Sequence, residues 1–150
     1  MIRSAPAFTP ERRRTLQAVV ARILPGIEGP GAEKTDVAVS VERAMQHDAL
    51  RGLRPGIEAF LDHLETRSQQ LHTTEFADCA VDAQDDLLRG IERGPDAGAR
   101  FLFRAVIAFS LEGLLGDPVH GGNRDCLGWD FVGLRPADVR SGFCAAVRKG

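Results

Sequence analysis

The spacing of apolar residues predicts a helix near the start of the chain. Thr9 suits the N-cap, Pro10 the first helical position and Glu11 the positive end of the helix dipole. The apolar residues that follow share one helical face: Leu16, Val19, Val20, Ile23 and Leu24. Pro25 and Gly26 then end the helix.

Further helices are predicted from the same kind of evidence, and no segment shows the pattern of a strand. Their approximate bounds are Thr35–Leu50, Pro55–His72, Thr74–Gly94, Asp96–Gly116 and Ala137–Arg148. The chain contains no evident repeat or linker. The sequence therefore predicts an all-α fold, a compact bundle of five to six helices with a long ordered C-terminal loop, in a single domain over residues 1–150.

The helix predicted over Asp96–Gly116 is apolar around most of its circumference, which is typical of a helix buried by its neighbours. A helix of this length measures about 30 Å, close to the thickness of a bilayer core. Arg100, Arg104 and Glu112 nevertheless favour a central helix of the bundle. We expect no direct insertion of the chain into a membrane.

The segment Asp117–Pro136 has no helical period and is rich in glycine. Long loops in compact domains are usually functional or disordered. The large apolar residues of this loop argue against disorder: Trp129, Phe131, Val132 and Leu134. We therefore expect an ordered loop with a function.

The charge of the chain argues against nucleic-acid binding, because a formal net charge of −2 provides no global positive field. Arg12, Arg13 and Arg14 form the only basic run. This run is either a docking patch for an acidic partner or the solvated face of the first helix.

Neither the cysteines nor the glycines form a cofactor motif. Cys79, Cys126 and Cys144 include no C-x-x-C pair, and we expect three free thiols that behave as small apolar residues. The sequence has no G-x-G-x-x-G for a dinucleotide and no G-x-S-x-G for a hydrolytic nucleophile. Independent binding of FAD or a nicotinamide is not expected.

The most specific part of the sequence is Glu112–Trp129, which follows the pattern E-G-x-x-x-D-P-x-x-G-G-N-x-D-x-x-G-W. This pattern resembles the signature of the gluconate 2-dehydrogenase subunit 3 family. The first helix, the aromatic-rich helix before the loop and Gly133 are also similar to that family. Two features depart from it, since His120 stands where an aromatic residue is common and no twin-arginine export signal is recognised.

The resemblance implies a non-catalytic accessory subunit in a hetero-oligomer. Its partner would be a large FAD-dependent subunit of the GMC type that oxidises a sugar, a polyol or a sugar derivative. FAD would belong to that partner, and this chain would carry no cofactor. Without a recognised signal we expect a cytoplasmic protein, or a periplasmic one if a partner carries it across the membrane.

The candidate site residues all lie in this motif, and we assign them to partner binding or to organisation of the loop: Glu112, Asp117, Pro118, His120, Gly121, Gly122, Asn123, Asp125 and Trp129. The paired glycines permit positive φ or a close approach, and asparagine and aspartate bind backbone N–H groups in turns. Trp129 can anchor a partner or its own loop. Glu112 is either a buried acid with a shifted pKa or a ligand of backbone amides or arginine.

Two alternatives remain at this point. One is a metal-dependent enzyme that uses Asp117, His120 and Asp125, because a histidine between carboxylates suits several metals. The other is a free-standing helical interaction module whose partner is not a flavoenzyme.

Overall fold

The computed structural model describes residues 7–26 and 29–134. These residues form helices and no strand, which confirms the predicted all-α class. The α-helices are α1 (Pro10–Ile23), α2 (Ala32–Thr35), α3 (Val37–Ala44), α4 (Arg54–His72), α5 (Val81–Arg93), α6 (Ala97–Leu115) and α7 (Leu127–Phe131). The helix predicted over Ala137–Arg148 lies outside the described residues.

The prediction of one continuous helix over Thr35–Leu50 is wrong. Asp36 adopts a left-handed conformation with φ 54°, and this residue separates α2 from α3. Aspartate tolerates that conformation better than most residues. Past α3 the chain forms only a 3₁₀ turn at Asp48–Leu50.

The helix predicted from Thr74 starts later, at Val81. Before it, Phe76–Asp78 forms a 3₁₀ turn that packs against α1 and α4. The Phe76 side chain is fully buried, and Gln84 Nε2 donates a hydrogen bond to the Phe76 carbonyl at 2.9 Å. Burial of this ring and the side-chain hydrogen bond together favour the turn over a longer helix.

The core forms where α1 and α6 pack against α3, α4 and α5. Apolar side chains of all five helices are buried there, among them Leu16, Val19, Val41, Ile57, Leu61, Leu64, Leu88 and Val106. The rings of Phe60 and Phe103 stack with centroids 6.0 Å apart, which joins α4 to α6. Because each such side chain contributes about 1.5–3 kcal/mol on burial, these contacts dominate the stability of the bundle.

Helix α6 is central but is not buried on all sides, contrary to the prediction. Phe103, Val106 and Leu114 face the core, whereas Phe101 is 61% exposed and Leu111 is 46% exposed. In the part of the chain that the structure describes, no helix is long and apolar enough to cross a membrane.

The arginine run on α1 is neither a free docking patch nor merely a solvated face. Arg12 forms a bidentate pair with Asp62 of α4, at 2.9 and 2.7 Å. Arg14 pairs with Glu75 and Asp78 around the 3₁₀ turn that precedes α5. The run therefore connects α1 to its neighbours.

Arg13 takes part in a more buried cluster with Glu42. Its Nε donates to Glu42 Oε2 at 2.8 Å, and the backbone N–H of Phe8 donates to Glu42 Oε1 at 3.2 Å. Burial raises the pKa of Glu42, but the hydrogen bonds from Arg13 and the backbone, together with the positive charge of Arg13, outweigh burial and lower the pKa overall. The cluster fastens the segment before α1 to α3.

We predict that Glu42→Gln destabilises the chain by about 2 kcal/mol at pH 7, because it removes hydrogen bonds to a charged carboxylate. The folded pKa is depressed, so this contribution is present above the unfolded value of about 4.3 and is lost as the pH falls through the folded pKa. Urea unfolding at a series of pH values should show the difference between wild type and variant shrinking in acid.

The matched control is Glu75→Gln, which breaks an exposed pair with Arg14 and should cost less than about 1 kcal/mol. Equal losses for both variants, or a Glu42 effect that is independent of pH, would contradict the prediction.

Candidate functional site

The candidate site is built on the C-terminal end of α6. The last carbonyls of a helix have no partner within the helix and need other donors. Here the backbone N–H of Gly116 donates to the Glu112 carbonyl at 2.7 Å. The carbonyls of Leu115 and Gly116, at the very end of the helix, accept hydrogen bonds from side chains of the loop that follows.

Asn123 is the central residue of that loop. Its side chain is fully buried. Nδ2 donates to the Gly116 carbonyl at 2.9 Å, and Oδ1 accepts from the backbone N–H of Gly128 at 2.8 Å. One amide side chain therefore satisfies the end of α6 and the start of α7 together.

Trp129 anchors its own loop. The indole is 6% exposed and packs beside Cys126. Its Nε1 donates to the Leu115 carbonyl at 2.6 Å. Little of its surface is available to a partner, so the structure favours the loop-anchor interpretation of this residue.

Two glycines allow the loop to lie directly on α6. A Cβ atom added to Gly122 would lie 2.2 Å from the Gly113 carbonyl oxygen, and one added to Gly128 would lie 1.9 Å from that of Leu114. Any larger residue at either position requires the backbone to move. Gly128 is a site residue that the sequence analysis did not assign, although its place before the tryptophan in the motif was a usable signal.

The backbone of the loop is held in an uncommon conformation. Asn123, Asp125 and Cys126 all have positive φ, at 47°, 56° and 59°, and Gly121 has φ 99°. Non-glycine residues in this region cost roughly 1 kcal/mol or more each and persist only where their surroundings hold them. The contacts to α6 provide those surroundings.

The first turn of the loop is formed by Asp117, Pro118 and His120. The Asp117 carboxylate accepts from the Val119 N–H at 3.0 Å and caps the 3₁₀ turn Pro118–His120. His120 and Asp125 are exposed. Within residues 7–26 and 29–134, no group of three histidine, cysteine or acidic side chains could hold a metal ion. The metal-enzyme alternative therefore finds no ligand set in the described chain.

Neither the burial nor the hydrogen bonding expected of Glu112 is found in the described part of the chain, whereas its assignment to partner binding stays a prediction. Its side chain is exposed on α6 and is not a buried acid. No hydrogen bond or ion pair of its carboxylate is found among the described residues. The sequence suggested that Glu112 is buried because α6 is apolar on nearly all sides. Such a pattern does not show which face of the helix the other helices leave uncovered.

An ion pair that the sequence did not predict joins the loop to the junction between α2 and α3. Arg124 binds Asp36 through both carboxylate oxygens, with Nε 2.6 Å from Oδ2. Asp36 is the residue that separates α2 from α3. The break between these helices thus places a carboxylate beside the loop.

The cysteines differ from the prediction of three free thiols. Cys79 is free, with its Sγ 3.0 Å from Ser68 Oγ. Cys126 is disulfide-bonded. The prediction failed because the spacing of cysteines along the sequence does not show which of them form a disulfide.

The uncovered face of α6 carries an apolar surface that continues to the loop. We define the α6 stripe as the exposed apolar residues Phe101, Ala108, Leu111 and Leu115. Their spacing of seven, three and four residues places them on one helical face about 21 Å long. Arg104 and Glu112 are exposed on the same face, and Val119, 60% exposed, follows it in the loop.

Comparison with known proteins identifies one relationship. The family model described as gluconate 2-dehydrogenase subunit 3 matches residues 10–136, from α1 through the loop. This match confirms the resemblance seen in the sequence. No curated protein and no solved structure matches the chain.

We predict that Asn123→Ala destabilises the chain by roughly 3 kcal/mol, because it leaves the Gly116 carbonyl and the Gly128 N–H without partners and places alanine in a left-handed conformation. Thermal or urea unfolding of the purified chain measures this loss. Near-UV circular dichroism of the single tryptophan should also change, since Trp129 lies in the same loop.

The neighbouring variant Arg124→Ala is the control. It removes only an exposed ion pair and should cost less than about 1 kcal/mol. If Asn123→Ala proves as mild as Arg124→Ala, the buried amide is not what holds the loop on α6.

Proposed function

The chain belongs to the gluconate 2-dehydrogenase subunit 3 family, and we propose that it is a non-catalytic accessory subunit that binds and stabilises a FAD-dependent dehydrogenase. The substrate class of that dehydrogenase would be a sugar or sugar derivative. The family name supports a role within a dehydrogenase complex. The partner, its flavin and its substrate are our extension of that name.

The observation that supports a docking surface for the partner is the α6 stripe. Four apolar side chains on the central helix face solvent. Contiguous exposed apolar surface commonly marks an interface. A long apolar strip on a helix suits an apolar groove or another helix on the partner. We therefore propose the stripe and Val119 as the docking surface.

The loop packs on the end of α6, next to this docking surface. Asn123, Trp129 and the close glycine contacts fix it on the end of α6, beside Leu115. Pre-organised surfaces lose less conformational freedom on binding, which favours affinity. In this proposal the buried motif residues organise the loop, and the exposed residues of α6 and the Pro118–His120 turn contact the partner.

The proposed assignment of the cofactor also separates the two subunits. We propose that FAD is bound by the large subunit and that this chain holds none, since its sequence carries no dinucleotide-binding motif. The competing interpretation, a helical interaction module without a flavoenzyme, uses the same surface and differs only in the partner. The spectrum of the complex separates the two.

The test is a pull-down of the tagged chain from its native host, followed by an absorption spectrum of the eluate. We predict a stoichiometric large subunit with flavin bands. Leu111→Glu should weaken its binding at least tenfold, or about 1.4 kcal/mol, because the partner would have to desolvate a carboxylate. The melting temperature of the variant should stay within a few degrees of wild type, since Leu111 is already half exposed.

The matched control is Leu71→Glu on α4, where the leucine is 55% exposed. This variant should retain the partner. Wild-type affinity in both Leu111→Glu and Phe101→Glu would exclude the α6 stripe as the interface, and a colourless partner would exclude the flavoenzyme.

A further inference from the structure

The C-terminal halves of α4 and α5 and the first turn of α6 line a cleft that the proposed partner surface does not use. Its volume is about 510 Å³, which lies within the range of pockets that hold small molecules. Five apolar side chains contribute to its lining: Leu64, Leu71, Leu87, Ile91 and Ala99. The cleft can therefore bury the apolar part of a ligand.

The length of the cleft suits a linear chain. Its lining on α4 runs from His63 to His72, and the nine residue steps between them rise about 13 Å. An extended chain of roughly ten carbons has a similar length. Both histidines can also donate a ring N–H to a polar group of the ligand.

Gly90 leaves space on the side of the cleft formed by α5. It lies in the interior of this helix and lines the cleft. Glycine destabilises a helix interior relative to alanine. A Cβ atom added to Gly90 would meet no atom of the described chain within 4 Å, so no contact there requires a glycine. A bound molecule would use the space that a side chain at this position would fill.

Arg67 gives the cleft a positive charge. Among the described residues, its guanidinium has one hydrogen-bond partner, the Gln70 side chain at 3.3 Å, and no ion pair. Two carboxylates also line the cleft, but Asp86 pairs with Arg89 at 3.1 Å and Asp96 caps α6. Because a guanidinium can bind both oxygens of a carboxylate, Arg67 favours a ligand with that group.

We propose that this cleft binds a linear aliphatic carboxylate, with the chain on the apolar side chains beside Gly90 and the carboxylate at Arg67. The inference is independent of the flavoenzyme partner. Phe101 of the α6 stripe follows Ala99 of the cleft by two residues, which is about 200° around the helix. The ligand and the partner would therefore occupy different faces of α6.

Isothermal titration calorimetry of the full chain with decanoate tests the site. We expect one decanoate per chain, with a Kd on the order of 100 µM, an affinity that a ligand of its size can reach. Arg67→Gln should weaken decanoate binding at least tenfold, because the carboxylate loses its cation. Arg67→Lys should lie between the two, since lysine keeps the charge but not the two parallel donors.

Gly90→Leu tests the space in the cleft. The leucine should fill it and weaken decanoate binding at least tenfold. The melting temperature should not fall, because leucine favours a helix more than glycine does. Full decanoate affinity in either Gly90→Leu or Arg67→Gln, uptake of several decanoates per chain, or no binding at millimolar decanoate would overturn the site.

Two further variants separate the cleft from the partner surface. Leu71→Glu places a carboxylate in the cleft, and it should lose decanoate while it keeps the partner. Leu111→Glu should bind decanoate as tightly as wild type while its binding to the partner weakens. Loss of decanoate in Leu111→Glu would place the ligand on the α6 stripe and overturn the cleft. Failure of the pull-down would instead count against the accessory-subunit proposal alone.

Discussion

The end of α6 depends on side chains that come from beyond it. Every helix leaves its last carbonyls unpaired, and a helix that ends inside a fold needs donors from elsewhere. Asn123 and Trp129 donate to the carbonyls of Gly116 and Leu115. Gly122 and Gly128 let the loop come close enough for these bonds to form. The left-handed residues of the loop are tolerable only because this contact fixes them, so the geometry of the whole site follows from the capping of one helix.

This arrangement also explains why the residues that hold the loop on α6, Asn123 and Trp129, are buried, whereas the exposed α6 stripe is apolar. A polar group buried without a partner costs about 1–3 kcal/mol, so Asn123 and Trp129 must be matched within the chain. A docking surface has the opposite requirement, because its apolar atoms must remain uncovered until the partner arrives. The buried residues of the motif and the exposed residues that would bind the partner thus have different roles at one helix end.

The sequence predicted the helical class, α1, α4 and α6 closely, because their periodicity and end signals are strong. It located the loop and named Asn123, Gly122 and Trp129, but it could not separate a loop anchor from a partner contact. That distinction depends on burial, and burial is set by helices distant in the chain. Glu112 shows the same limit, since a mostly apolar helix suggested a buried acid and the bundle leaves that face open. Arg13 and Arg124 find their carboxylates 29 and 88 residues away, beyond any local pattern.

The charged residues beside the α6 stripe affect how selective the proposed docking would be. Arg104 and Glu112 lie on the same face as the exposed apolar residues. Apolar contact alone discriminates weakly between partners, whereas an unpaired charge at an interface must be desolvated without compensation. A partner that offers a carboxylate opposite Arg104 and a cation opposite Glu112 avoids this cost, and a partner with the reverse order meets two like-charge contacts. The apolar residues would then supply most of the affinity and the two charges the orientation, which is the usual division between these forces at protein interfaces.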